Sequence, residues 1–141
     1  MAKLDEVPLD AVRDVLRRHR VRAAWVFGSF ARGEAQAGSD LDLAVLMAEP
    51  WDSAGWFTLA GRLQAALTPL VQRPVDVLVL NEAGSLARFE ATSRGIVVLE
   101  QDEEERIAFE LRAGAGYEDY LHIQSFFVAA LRERLERRSA S

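Results

Sequence analysis

The chain has 141 residues, half of them apolar, and a formal net charge of -5; at that length a single domain can bury a core without disulfides or a structural metal. It contains no cysteine, its N-terminus lacks a charged-then-apolar leader, and no apolar run approaches the roughly 20 residues of a membrane helix, so a soluble cytoplasmic protein without membrane partners is expected. Arg supplies every basic side chain except Lys3, and the acidic balance speaks against long duplex DNA or RNA as the main partner.

Pro8 suits a first helical turn, where its missing N–H would be unbonded anyway, and Leu9, Val12, Val15 and Leu16 recur at helical spacing, which predicts a helix over 8–20. Arg13, Arg17, Arg18, Arg20 and Arg22 read as a solvated charged side. Residues 21–27 form an apolar run rich in β-branched and aromatic residues that stops at Gly28-Ser29, the mark of a buried strand opening into a tight turn. A short helix is expected around 30–34, and a second strand over 41–47, ended by Glu49-Pro50. Trp56, Leu59, Ala60, Leu63, Ala66, Leu67 and Leu70 then mark one stripe of an amphipathic helix limited by Pro69. A third strand follows over 75–80, a shorter helix over 85–94 that stops at Gly95, and a fourth strand over 96–99.

From Asp102 the pattern is helical again. It opens on acids, Asp102 to Glu105, and closes on Arg132, Arg134, Arg137 and Arg138, as the helix dipole favours. Gly114 and Gly116 each cost about 1 kcal/mol relative to Ala, which predicts a break and two helices, over 102–113 and 117–136. The last of these carries two apolar stripes. Tyr117, Tyr120, Leu121, Phe127, Val128 and Leu131 make one, which suffices for packing on the sheet; Ile123, Phe126 and Ala130 make another, about 120° or more around. The second stripe suits a partner protein or self-association as well as a helix sandwiched inside the domain. Strands alternating with helices predict an α/β (α+β) layer structure, one domain over 1–141 with a core at about 8–100 and a helical segment at about 102–138.

Chemistry concentrates between Gly28 and Val45. Asp40 and Asp42 are separated by Leu41, so the two-residue period of a strand sends both carboxylates to one face while Leu41, Leu43 and Val45 point to the other. Asp76 lies inside the apolar run of the third strand, where a carboxylate is costly unless it is paired or holds a metal. If the third strand lies beside the second, three carboxylates surround one point and repel one another unless divalent cations neutralise them. Magnesium fits such hard oxygen ligands, and two ions about 3.5 to 4 Å apart can clamp both oxygens of a phosphoryl displacement. Gly28 permits a close turn, the Ser29 hydroxyl and the following helical N–H groups can cradle phosphate oxygens, and Arg32 could add a bidentate contact unless it pairs with Glu34 or Asp40 on the surface.

Gly28-Ser29, Arg32-Gly33 and the run Ser39-Asp40-Leu41-Asp42-Leu43-Ala44-Val45 resemble the signature of the DNA polymerase β-like nucleotidyltransferase superfamily, in its minimal nucleotidyltransferase branch. That resemblance implies a small mixed β-sheet flanked by helices, ATP as nucleotide donor, two Mg2+ ions, and transfer of a nucleotidyl group to a hydroxyl. It makes Asp40 and Asp42 shared metal ligands, Asp76 a ligand to one metal and the group that helps deprotonate the acceptor, and Gly28, Ser29, Arg32 and Ser39 nucleotide-binding positions. More loosely, the stretch from Phe109-Glu110-Leu111-Arg112 through Tyr117-Glu118-Asp119-Tyr120 to Ala130-Leu131-Arg132 is similar to MntA-type antitoxins, which silence a HEPN-domain ribonuclease toxin by adenylylating a tyrosine. Two other functions compete with this one: a small-molecule transferase of aminoglycoside type, for which little chain remains to hold the acceptor, and a non-catalytic module that blocks the toxin by binding. Trp25 and Phe27 read as core, Trp51 and Trp56 as helix-face residues, and His19 and His122 as ordinary helix-surface residues.

Overall fold

In the computed structural model, which describes residues 3–140, four strands, β1 (Val21–Phe27), β2 (Leu41–Met47), β3 (Val75–Val79) and β4 (Ile96–Glu100), form one sheet in the order β3-β2-β1-β4. β1 runs antiparallel to β2 and to β4, whereas β2 and β3 are parallel. Parallel neighbours need a crossover, which the helix α3 (Trp56–Val71) supplies. The other helices are α1 (Leu9–Arg18), α2 (Gly28–Arg32), α4 (Ser85–Arg94) and α5 (Glu103–Ala140). Among the described residues, no helix is long and apolar enough to cross a membrane.

The pleat divides the core in two. Ala24, Val26, Leu41, Leu43, Val45, Val75 and Val77 pack with Val12 and Leu16 of α1 and with Leu63 and Leu67 of α3. Burying each of the larger aliphatic side chains contributes about 1.5–3 kcal/mol. On the opposite face Ala23, Trp25, Ala44 and Leu46 pack under Ala91 of α4 and Phe109 of α5. Trp25 is fully buried and satisfies its indole N–H by donating to Glu110 of α5 at 2.9 Å. That bond fixes α5 against the sheet.

The elements start and stop close to where their signals lie. α1 begins at Leu9 with Pro8 as its cap residue rather than in its first turn. The short helix α2 begins at Gly28, two residues before the expected start, and ends where Gly33 adopts a left-handed φ of 71°. β3 closes at Val79, and Leu80–Glu82 form a single 3₁₀ turn. Trp51 lies in the loop before α3, not on it, and its indole N–H donates to the Glu82 carboxylate. Of the early arginines, Arg17 and Arg18 are solvated, but Arg13 donates to the Val98 carbonyl at 2.6 Å and Arg22 pairs with Glu105 at 3.1 Å.

The expected break at Gly114 and Gly116 is absent, and α5 is one continuous helix of 38 residues. Tertiary contacts on both sides of the glycines outweigh local propensity. Phe109 and Ala113 are buried before them, and Tyr117 stacks on Phe89 of α4 after them, with ring centroids 4.1 Å apart and planes within 5°. At Gly116 a Cβ would lie 3.6 Å from the Ser85 hydroxyl, so a small residue suits the close approach of α4. At Gly114 a Cβ would meet nothing within 4 Å. Gly114→Ala should therefore raise unfolding stability by about 0.5–1 kcal/mol through helix propensity alone, measured by urea denaturation; a loss of stability would show that the glycine serves a bend. The expected packing of one late stripe on the sheet is also not found. Every residue from 121 to 140 is exposed, so the first stripe is covered only at its start, where Tyr117 stacks on Phe89, the second is uncovered, and the helix is not sandwiched in the domain.

Candidate active site

β2 pairs with β3 in a register that sets Asp42 directly beside Asp76, on strands about 4.8 Å apart. Alternation along β2 places Asp42 on the face of Ala44 and Leu46, opposite Leu41, Leu43 and Val45. Ala44 and Leu46 are covered, whereas Asp42 is half-buried and Asp40 and Asp76 are exposed at the open end of that face. The Asp42 carboxyl is pushed above its ordinary range, first by burial, then by the charges of Asp76 and Asp40, with Arg32 pulling the other way. The three aspartates thus form one electrostatic unit. Among the described residues no hydrogen bond or ion pair compensates any of them.

The turn after β1 is built against this cluster. Phe27 pairs with Asp42 across the β1–β2 ladder, and Gly28 follows with a φ of 69°. A Cβ on Gly28 would lie 2.1 Å from Asp42 Oδ2, so any side chain here would push that carboxylate out of its place. Ser29 sits half-buried in the first turn of α2, whose opening N–H groups have no partner within the helix. Arg32 donates through Nε to Glu34 at 3.0 Å, the surface pairing that competes with a phosphate contact, while its charge still reaches Asp42. Ser39 shapes the approach to β2: its hydroxyl accepts the Gln36 N–H at 2.8 Å, and its carbonyl accepts from Arg73 at 2.9 Å. Its engagement is with the turn that delivers Asp40.

Two groups of residues at this end carry no signal in the sequence. Arg73 lies over the Phe30 ring at 4.8 Å and bonds the Ser39 carbonyl, so it ties α2 to the loop before β2 from a distance of more than thirty residues along the chain. Glu90 and Arg94 of α4 join Phe27, Gly28, Ala31 and Arg32 around a cleft of about 250 Å3 beside the turn. Arg94 otherwise reads as an ordinary basic residue in a last helical turn.

The donor set suits magnesium. Among the described residues no three acidic or histidine side chains close into a ready-made metal cage, and Mg2+ does not require one: it takes one or two carboxylates and completes its shell with water and substrate phosphate oxygens. An open cluster of uncompensated carboxylates, one of them resisting ionisation beside a bare backbone cradle, has that character.

The mixed sheet thus brings an Asp-x-Asp pair at the start of β2, a third acid in register with Asp42 and a Gly-Ser turn packed on the central carboxylate to one end of one face. The family model described as "Polymerase beta, Nucleotidyltransferase" matches residues 10–104, and the chain belongs to that family. Among solved structures, a toxin–antitoxin complex with AMP-PNP contains a chain similar to this one at 22% identity and a TM-score of 0.68, covering 92% of this chain and 99% of that one. The MNT antitoxin bound to a tri-AMPylated HEPN toxin from Shewanella oneidensis is similar at 21% identity and a TM-score of 0.61, covering 90% and 95%. A structure described as a candidate minimal nucleotidyltransferase reaches 35% identity over 62% of this chain and 86% of that one, with a TM-score of 0.50. Among curated proteins, none matches the chain.

Proposed function

We propose that this chain is a magnesium-dependent adenylyltransferase that moves AMP from ATP onto a tyrosine hydroxyl of a cognate HEPN ribonuclease toxin, and so acts as its antitoxin in the cytoplasm. The observation that carries the chemistry is the side-by-side register of Asp42 and Asp76 with Gly28 packed on Asp42. The acceptor is supported by the fold likeness to antitoxin chains solved with AMP-PNP and with an AMPylated toxin.

On this reading Asp40 and Asp42 would hold two Mg2+ ions, and Asp76 would be a ligand to one of them. When bound, the ions neutralise the carboxylates and the triphosphate and stabilise charge on the attacking and leaving oxygens. The backbone at Gly28 and the Ser29 hydroxyl seat the phosphate tail, with Arg32 beside it and Ser39 holding the turn. Asp76 accepts the proton of the acceptor hydroxyl as its oxygen bonds to the α-phosphorus and pyrophosphate departs. Catalysis of this type is mostly positioning and charge stabilisation.

Arg32→Ala should raise the KM for ATP about tenfold, the cost of one charge-assisted hydrogen bond, while leaving the turn intact; steady-state kinetics with the toxin as acceptor checks it. An unchanged KM would leave Arg32 as the surface partner of Glu34 that the structure already records.

The decisive experiment mixes the chain with ATP, Mg2+ and the HEPN protein encoded beside it. An AMP-sized mass increase on a toxin tyrosine supports the proposal. Toxin inhibition without modification would favour the binding module, and transfer to aminoglycosides alone would favour the small-molecule enzyme. Uncompensated clustered acids speak against the binding module, since a protein that only binds has no use for their mutual repulsion.

A further inference from the structure

The cleft beside the Gly-Ser turn is walled on one side by Gly28, Ala31 and Arg32, which share one face of α2, and on the other by Glu90 and Arg94, which share one face of α4. Close packing holds the second wall in place. At Gly95, which follows Arg94, a Cβ would lie 2.1 Å from the Ala91 carbonyl oxygen, 3.0 Å from Trp25 Cβ and 3.2 Å from the Val26 carbonyl oxygen. The end of α4 therefore rests directly on β1 beside Val26, two residues before Gly28. Elsewhere on α4, Ala91 is buried and Phe89 stacks on Tyr117 of α5, which leaves the Glu90–Arg94 face to the cleft.

The charges on that face are uncommitted. Glu90 and Arg94 stand four residues apart with the acid first, the favourable order for an ion pair on a helix, yet among the described residues neither makes an ion pair or a hydrogen bond. Arg32, across the cleft, already donates to Glu34 at 3.0 Å. Arg94 thus brings a whole guanidinium fork, free of protein partners, to the edge of the turn that packs on Asp42.

Size and charge select what the cleft holds. At about 250 Å3 it is smaller than the roughly 300–1,000 Å3 of a pocket that encloses a whole ligand, so it takes one end of a nucleotide. Two guanidiniums against one carboxylate favour the anionic end, and Phe27, its aromatic wall, packs against the core cluster that holds Trp25.

We propose that Arg94 binds the β- and γ-phosphates of the nucleoside triphosphate and stays with pyrophosphate as it leaves. This rests on the reading of the chain as a nucleotidyltransferase. As the acceptor oxygen bonds to the α-phosphorus, the bond from that phosphorus to the bridging oxygen breaks and its electron pair passes to pyrophosphate. Arg94 meets that growing charge with no carboxylate partner to give up.

The test is calorimetry on the full chain with Mg2+, using AMP-PNP, pyrophosphate and AMP as probes. Arg94→Gln should weaken AMP-PNP and pyrophosphate about tenfold and leave AMP within about twofold, with an unchanged melting temperature because the residue is exposed. Arg94→Lys, which keeps the charge but not the fork, should recover part of the loss. Glu90→Gln should not weaken any probe. Equal losses of AMP and AMP-PNP in Arg94→Gln, or losses in Glu90→Gln as large, would put the nucleoside in the cleft and overturn the contact. A wild-type chain that binds none of the three probes would remove the nucleotidyltransferase reading, and the Arg94 contact with it; wild-type binding of AMP-PNP that Arg94→Gln leaves unaffected would remove the contact alone.

Discussion

Asp42→Asn should lower AMP transfer by about 10³-fold or more and, in the presence of a chelator, make the protein harder to melt at neutral pH. The opposed effects have one cause. Asp42 sits half-buried between Asp40 and Asp76, and its carboxyl titrates above the ordinary 3.8 because burial, and then those two charges, resist its ionisation. A carboxyl whose folded pKa lies above its unfolded value costs stability wherever it is ionised in both states. That cost is absent below the unfolded value and develops as pH rises through the folded value. Asn escapes it. The gap in melting temperature between variant and wild type should therefore open as pH rises from acid to neutral. Added Mg2+ should raise the melting temperature of the wild type more than that of the variant, because binding to the native state alone stabilises it. A variant less stable than wild type in chelator at pH 7 would mean that favourable contacts hold Asp42 in place.

Much of this cluster is legible in the sequence because it is local. Asp42 takes its face from the period of a strand and Gly28-Ser29 sits at the end of an apolar run, while Asp40 stands just before β2, close enough in sequence for its charge to reach Asp42. Asp76 is different. Its place beside Asp42 depends on β2 and β3 being parallel neighbours in one register, which the crossover through α3 sets and no local pattern encodes. Only its cost inside an apolar run marks it. Arg73 and Arg94 carry no such mark, since each reaches the site through contacts between elements far apart in the chain.

The same division explains what the chain's local signals get wrong. Gly114 and Gly116 read as a helix stop because propensity is local, whereas the restraints that keep α5 whole, Phe89 on Tyr117 and Trp25 on Glu110, join residues separated by 28 and 85 positions. One apolar stripe of the last helix reads as packed on the sheet, and the second as either a partner surface or a sandwiched face, because hydrophobic periodicity records only that a helix has an apolar side. It does not say what covers that side.

Gly28→Ala should lower transfer by about 10²-fold or more and destabilise the fold by about 3 kcal/mol, more than left-handed strain alone, which costs about 1–2 kcal/mol for a non-glycine residue. The difference is steric. The new Cβ would lie 2.1 Å from Asp42 Oδ2, and Asp42's backbone is locked between β1 and β3, so the carboxylate must swing away instead. A displacement of about 1 Å in a reacting constellation is enough for a 10²-fold loss. Gly33→Ala supplies the control: Gly33 has a nearly equal φ of 71° but nothing within 4 Å of a Cβ. It should pay the strain and keep most of the activity. The clash also predicts coupling, because Gly28→Ala introduced into an Asp42→Ala background meets no carboxylate and should destabilise less than it does in the wild type. Strictly additive melting data from the four proteins of that cycle would mean that Gly28 and Asp42 do not touch, and the Gly-Ser turn would then owe its position to the backbone alone.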